Sequence, residues 1–145
     1  MIIRPGGLLV HDGRLLLMRY EYGGQDRFNL PGGKPDPGED WRQCLIREWA
    51  EELNLTVQPG KLIFLVESEG GGRNVLHPLF QLTGTNPPKP RLNPHQTSAL
   101  EVLWLNSNTL RQAILYPHIP HVLSEWLEGK SGSDPYLGRI LQPWS

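Results

Sequence analysis

The feature that most constrains this chain is the segment Asp40–Leu53, DWRQCLIREWAEEL, which has the period and the caps of an amphipathic helix. Asp40 suits an N-cap, because a short carboxylate accepts from the free amides of a first turn, and Gln43 three residues on completes a capping box. Leu45, Trp49, Leu53, Ile46 and Ala50 share one arc of the helical wheel, which predicts a stripe facing a core. A helix of this kind needs a layer to pack on, and the rest of the chain supplies strands. Gly7–Tyr20 holds two apolar runs around Asp12-Gly13, a hairpin signal. Glu21–Phe28 reads as a loop, followed by Leu30-Pro31-Gly32-Gly33, whose glycines permit close backbone geometry. Lys61–Glu67 and Val75–Leu82 read as strands about the Gly70-Gly71-Gly72 turn, Thr85–His95 as a proline-rich loop, and Leu100–Leu105 as a further strand. Short helical pieces are expected at Thr109–Leu115 and His118–Leu127. Strands on both sides of one long helix predict a mixed α/β or α+β layered domain over residues 1–129, with 130–145 a C-terminal tail either mobile or docked.

Composition narrows the class of function. A length of 145 residues suits one domain that buries a core without staples. A net charge of −1 provides no clustered basic face for duplex nucleic acid. The single cysteine, Cys44, allows no internal disulfide and no thiolate metal site, which fits a reducing compartment, so a cytoplasmic location is expected. Apolar runs are only a few residues long and no charged-then-apolar leader opens the chain, so neither a membrane span nor a signal peptide is expected. A small-molecule enzyme or binding module, monomeric or homodimeric, fits these limits.

Chemistry enters on the same helix. Glu48, Glu51 and Glu52 stand at i, i+3 and i+4, so their carboxylates converge on one side, roughly opposite the expected apolar stripe. Like charges at these spacings cost a few tenths of a kcal/mol per pair. Either the face is simply solvated, the commoner case for glutamates on a helix, or a hard divalent cation offsets the repulsion; magnesium takes a few carboxylates plus waters and phosphate oxygens. The longer pattern separates the two. From Gly33 to Leu55 the chain reads GKPDPGEDWRQCLIREWAEELNL, which resembles the Nudix box: Gly33, Glu39, Arg47, Glu48, Glu51, Glu52 and Leu55 fall at its spacings, and Leu30-Pro31-Gly32 resembles its lead-in. Trp49 stands where the pattern is usually aliphatic, and Asn54 where it has glycine. Asparagine is the residue after glycine that best tolerates a left-handed backbone, so Asn54 is expected at positive φ, ending the helix.

The resemblance implies a Nudix-like α/β/α sandwich with a central mixed β-sheet. It also implies a hydrolase, dependent on magnesium (or manganese), that cleaves the diphosphate of a nucleoside diphosphate linked to a group X. By the same resemblance Glu51 and Glu52 would bind the metal with help from the Gly33 carbonyl, and Glu48 would bind metal or take the proton of the attacking water. Arg47 would hold Glu48 or Glu39 by a planar bidentate contact, with Glu39 tethering the loop. Glu101 would be either a further carboxylate of the site or a strand-edge charge. Arg4, Arg19 and Tyr20 would lie near substrate phosphate or base, and Phe28 would stack on a base or fill the core. The chain lacks the downstream proline of ADP-ribose pyrophosphatases, the tyrosine of dinucleoside polyphosphate hydrolases and the motif of NADH-cleaving relatives. That pattern implies a nucleoside triphosphate or small nucleotide derivative. Two other readings belong to the same fold. A non-catalytic module that binds a nucleotide or a protein would usually lack box carboxylates that this chain keeps. An isomerase of isoprenoid diphosphates would need further catalytic residues, and Cys44, better explained by close packing, is poorly placed to be one.

Overall fold

The computed structural model describes residues 1–130, 132 and 134–143. After a two-residue strand β1 (Ile2–Ile3), Asp12-Gly13 closes the expected hairpin between β2 (Gly6–His11) and β3 (Arg14–Tyr22), with Val10 opposite Leu15. The segment Glu21–Phe28 is not a loop. Gly23 and Gly24, at φ 59° and 76°, make a second two-residue turn, so that β3 returns as β4 (Gln25–Asn29), with Tyr22 opposite Gln25. Positive φ at both central residues matches the twist of the flanking strands, and glycine adopts it without steric cost.

The chain then crosses to α1 (Trp41–Leu53) and continues through β5 (Val57–Gly70), β6 (Arg73–Gly84) and β7 (Glu101–Leu105). A short helix α2 (Ser107–Gln112), β8 (Leu115–Tyr116), α3 (Pro120–Leu127) and β9 (Tyr136–Leu141) complete it. Among the described residues nine strands join in one mixed sheet along β8-β4-β3-β2-β6-β5-β9, with β1 beside β6 and β7 beside β3. Leu16 and Met18 of β3 face α1 and pack with Leu45, Trp49 and Leu53, whereas Leu15 and Leu17 face α2 and α3 and pack with Leu110, Ile119 and Leu123. Strand alternation thus feeds two cores, one on each face of the sheet. Residues 136–142 dock on the sheet: β9 adds a parallel strand to β5, Tyr136 donates its hydroxyl proton to Glu67, and the Gln142 amide donates to the Glu69 carbonyl at 2.8 Å. No helix among the described residues is long and apolar enough to cross a membrane.

Helix α1 begins and ends as its sequence requires. Asp40 accepts from the Gln43 amide at 2.8 Å while the Gln43 side chain accepts from the Asp40 amide at 2.9 Å. Asn54 lies at φ 55°, ψ 35°, and its side chain donates to the Arg91 carbonyl at 2.7 Å. The amides of Arg91 and Asn93 in turn donate to the carbonyls of Leu53 and Glu52, which the helix leaves open at its end. The apolar stripe, however, is rotated from the expected arc. Cys44, Leu45, Trp49 and Leu53 are buried, but Ile46 and Ala50 are exposed, and Glu48 and Glu52 border the buried arc rather than oppose it. Hydropathy alone weighs Ile46 above Cys44; the shape of the sheet surface decides otherwise.

Asn54→Val should lower the urea-denaturation stability by about 1–2 kcal/mol more than Asn54→Gly. Both lose the bond to Arg91, but only valine pays for a left-handed backbone. Equal midpoints for the two variants would contradict this account of the helix end.

Candidate active site

The site begins with a steric fit between glycines and a tryptophan. The Trp49 indole N–H donates to the Pro31 carbonyl at 3.0 Å, deep in the core. A Cβ on Gly7 would fall 2.7 Å from the indole ring, so the ring packs directly against bare backbone. The Gly7 and Gly33 amides bond to the carbonyls of Pro31 and Pro5 at 2.9 and 3.3 Å, stitching the glycine turn to the start of β2. On the preceding residue of α1, a Cβ at Gly33 would sit 2.5 Å from the Glu48 carboxyl carbon. Glycine at position 33 is what lets backbone and carboxylate meet. Cys44, one turn earlier, donates its thiol to the Gly33 carbonyl at 3.3 Å. Burial pushes that thiol up to about 12, so it is a packing group and not a nucleophile.

Arg47 gathers the acids of the loop and helix. Its guanidinium pairs with both oxygens of Glu39 at 2.8 and 2.9 Å, with Glu48 at 2.9 Å, with Glu51 at 3.2 Å and with Asp36 at 3.1 Å. It also donates to the Lys34 carbonyl at 3.2 Å. The two-pronged contact and a bond from the Asp36 amide pull the Glu39 carboxyl down to about 2, so Glu39 stays ionised and ties the 34–39 loop to α1. Glu52 lies away from this cation. Burial first, then the neighbouring Glu48, holds its carboxyl up at about 7, partly offset by Arg4, and burial likewise raises Glu48.

Among the described residues no three acidic, histidine or cysteine side chains converge closely enough to form a complete metal cage. The donor chemistry nevertheless suits a hard cation. Glu48, Glu51 and Glu52 offer oxygen alone, beside a carbonyl at Gly33. Magnesium asks a protein for only a few such ligands, with waters and phosphate oxygens filling the rest. The unfavourable proximity of Glu48 and Glu52 is the kind that a cation relieves.

The other residues singled out in the sequence divide into two sets. Arg4 donates to the Leu30 carbonyl at 3.1 Å, and its charge acts on both Glu48 and Glu52. Tyr20 packs on the α1 side of the sheet, bonds Thr97 at 3.2 Å and feels the charge of Glu52. Arg19, Phe28 and Glu101 are cross-strand neighbours on the opposite face of the sheet. Arg19 is spent on Glu101 and Asp26, each at 3.1 Å, and Phe28 packs into the core beneath α2 and α3.

Sequence reading missed a cleft of about 340 Å³ lined by Tyr22, Arg27, Asn29, Ser68, Arg73 and Tyr116, among others. The glutamates lie outside it, and Arg4 links the two, since its guanidinium sits 5.2 Å from the Tyr116 ring centre. The one signal available was His77, a polar residue at an inward position of β6 between Val75 and Leu79.

Comparison with known proteins identifies the family and the fold. Residues 5–127 match the NUDIX domain family. Isopentenyl-diphosphate Delta-isomerase of Clavibacter sepedonicus is 27% identical over 129 residues, covering 80% of this chain, and the chain spans 63% of that enzyme's length. The fold is similar to the Escherichia coli ORF135 protein (TM-score 0.69, 24% identity, 89% of each chain) and to a NUDIX hydrolase from Nitrosomonas europaea (TM-score 0.70, 19% identity, 97% of this chain and 78% of that one).

A pH dependence follows from Glu52. An unfolded glutamate titrates near 4.5 and the folded one near 7, so the stability contributed by a neutral Glu52 is fully present below about 4.5 and lost as pH rises through about 7. Glu52→Gln keeps the neutral form. In metal-free protein its unfolding free energy in urea should exceed wild type at pH 8, by on the order of 1–2 kcal/mol, and converge with it near pH 4.5. Parallel profiles would contradict the assigned burial.

Proposed function

Since the chain belongs to the NUDIX family, we propose that it hydrolyses a diphosphate linkage, in a nucleoside diphosphate joined to a further group X. The observation that carries the reading is that Glu39, Glu48 and Glu51 all meet on Arg47, with Glu52 and the Gly33 backbone beside them. A diphosphate repels nucleophiles because its oxygens carry dense negative charge. Magnesium, when bound, supplies the charge that masks those oxygens and acidifies water. Glu51 and Glu52 would hold it with the Gly33 carbonyl, and Glu48 serves as a further ligand or accepts the proton of the attacking water. Arg47 holds Glu48 in place and Glu39 anchors the loop that carries Gly33. Arg4, cationic and beside this group, orients phosphate. The substrate in this reading is a nucleoside triphosphate or a small nucleotide derivative, met in the cytoplasm.

A non-catalytic binding module is disfavoured because every carboxylate of the box is present and gathered. The likeness to isopentenyl-diphosphate isomerases favours a second reading, isomerisation at an isoprenoid diphosphate. Both reactions grip a diphosphate, but Cys44, buried and held protonated, is unavailable as an acid or base for isomerisation.

A screen over nucleoside triphosphates, nucleotide sugars and isopentenyl diphosphate, with magnesium, separates these readings by product: hydrolysis yields a nucleoside monophosphate with diphosphate or a sugar phosphate, whereas isomerisation moves a double bond and leaves the diphosphate intact. Hydrolysis of nucleotides should appear, vanish in excess chelator and return with magnesium or manganese. Glu48→Gln and Glu52→Gln should each lower kcat on the order of a hundredfold or more while the fold survives. Full turnover in chelator, or near wild-type rates for both variants, would overturn the proposed site.

A further inference from the structure

In the wall of the cleft beyond Arg4, Ser68 is paired to a histidine outside the lining, and the hydrolytic step does not use this pair. Ser68 of β5 and His77 of β6 are 2% and 0% exposed, and Ser68 Oγ lies 2.8 Å from His77 Nε2. The imidazole is held edge-on to Tyr116, with ring centres 4.9 Å apart at 89°. Its other nitrogen, Nδ1, is buried with no hydrogen-bond partner among the described residues. Burial and the charge of Arg4 hold the ring down at about 3, so it is neutral near pH 7.

A neutral imidazole has one N–H to place. On Nδ1 it would be a buried donor without an acceptor, and Nε2 would consume the Ser68 proton. On Nε2 it is satisfied by Ser68 Oγ, and what is left over at Nδ1 is a lone pair. Orphaned buried donors are rarer than under-used acceptors, and the nearby Arg4 cation also favours a lone pair over a second proton. With the N–H on Nε2, the Ser68 hydroxyl proton is uncommitted, and Ser68 lines the cleft.

We infer that Ser68, oriented by His77, is a hydrogen-bond donor that reads an acceptor atom on the nucleoside end of the substrate. Its neighbour Gln142 is held by its own bonds: its oxygen accepts from the His118 amide at 2.6 Å, and one of its two N–H groups donates to the Leu115 carbonyl at 3.2 Å. The cleft, at about 340 Å³, is within the size range of small-molecule sites. A nucleoside seated there would direct its phosphates past Arg4 toward Glu48 and Glu52. The nucleoside in this inference rests on the hydrolase reading above; the tautomer does not.

Two measurements test it. Long-range ¹⁵N–¹H NMR of the histidine side chains of the full chain should show His77 as the Nε2–H tautomer from pH 5.5 to 8; an Nδ1–H tautomer overturns the inference. Titration of wild type and Ser68→Ala with the diphosphates of adenosine, guanosine, cytidine and uridine, and with inorganic diphosphate, all with magnesium, reads the donor itself. The substitution should weaken the tightest nucleoside diphosphate about tenfold relative to inorganic diphosphate, the loss of one hydrogen bond. An unchanged ratio overturns the role of Ser68. So does wild type that binds inorganic diphosphate but none of the four nucleotides, an outcome that leaves diphosphate hydrolysis itself standing. Absence of any magnesium-dependent hydrolysis is instead the failure of the reading above.

Discussion

Everything at the site depends on how α1 is seated, and the bond between the Trp49 indole and the Pro31 carbonyl sets that seat. The indole can reach Pro31 because Gly7 leaves room for its ring, and the same contact fixes which turn of the helix meets the glycine loop. Were the helix to slide by one residue, Glu48 would no longer face Gly33. A buried hydrogen bond next to a close-packed ring resists such slippage more than either alone, since breaking it strands a donor and opens a void. The position is usually aliphatic in the pattern that the box resembles; here a larger ring does the packing and adds a directional bond.

The second constraint is charge. Four carboxylates, those of Asp36, Glu39, Glu48 and Glu51, pair with Arg47, while Glu52 makes no ion pair among the described residues and feels the charges of Arg4 and Arg47 without touching either. One guanidinium cannot neutralise this much negative charge, and Glu52, raised first by its burial, is raised further by the neighbouring Glu48. That imbalance makes sense if the site is built to meet cations. It also places Arg47 as a scaffold, because its planar fork is committed to Glu39 by two bonds and has little freedom left to follow a ligand.

Much of this was legible from residue order. Local rules predicted α1 from Asp40, its capping box and the left-handed Asn54, because caps are decided by a few neighbouring residues. The spacing of Glu48, Glu51 and Glu52 marked the acidic cluster for the same reason. What escaped depends on contacts distant in sequence. Ile46 and Ala50 are exposed and Cys44 is buried because of the sheet they meet, which helical periodicity does not describe. The Gly23-Gly24 hairpin was hidden by the polar composition of β4, whose pairing with β3 is set by a turn rather than by hydropathy. Strand β9 is half exposed and weakly patterned, and only its parallel pairing with β5 makes it a strand. Arg19, which the resemblance places near substrate, pairs with Glu101 across the sheet from α1. Ser68 and His77 lie nine residues apart on neighbouring strands and meet only in the folded sheet.

The central claim, that the chemistry is at the junction of Gly33 and the acidic side of α1, is tested most directly by locating a bound cation. Substoichiometric manganese added to ¹⁵N-labelled protein broadens amide signals steeply with proximity. The account predicts selective loss of the signals of Gly33, Glu48, Glu51 and Glu52, while Arg19 and Glu101 on the opposite face stay sharp. Broadening centred on Arg19 and Glu101, or none around Gly33, would contradict it.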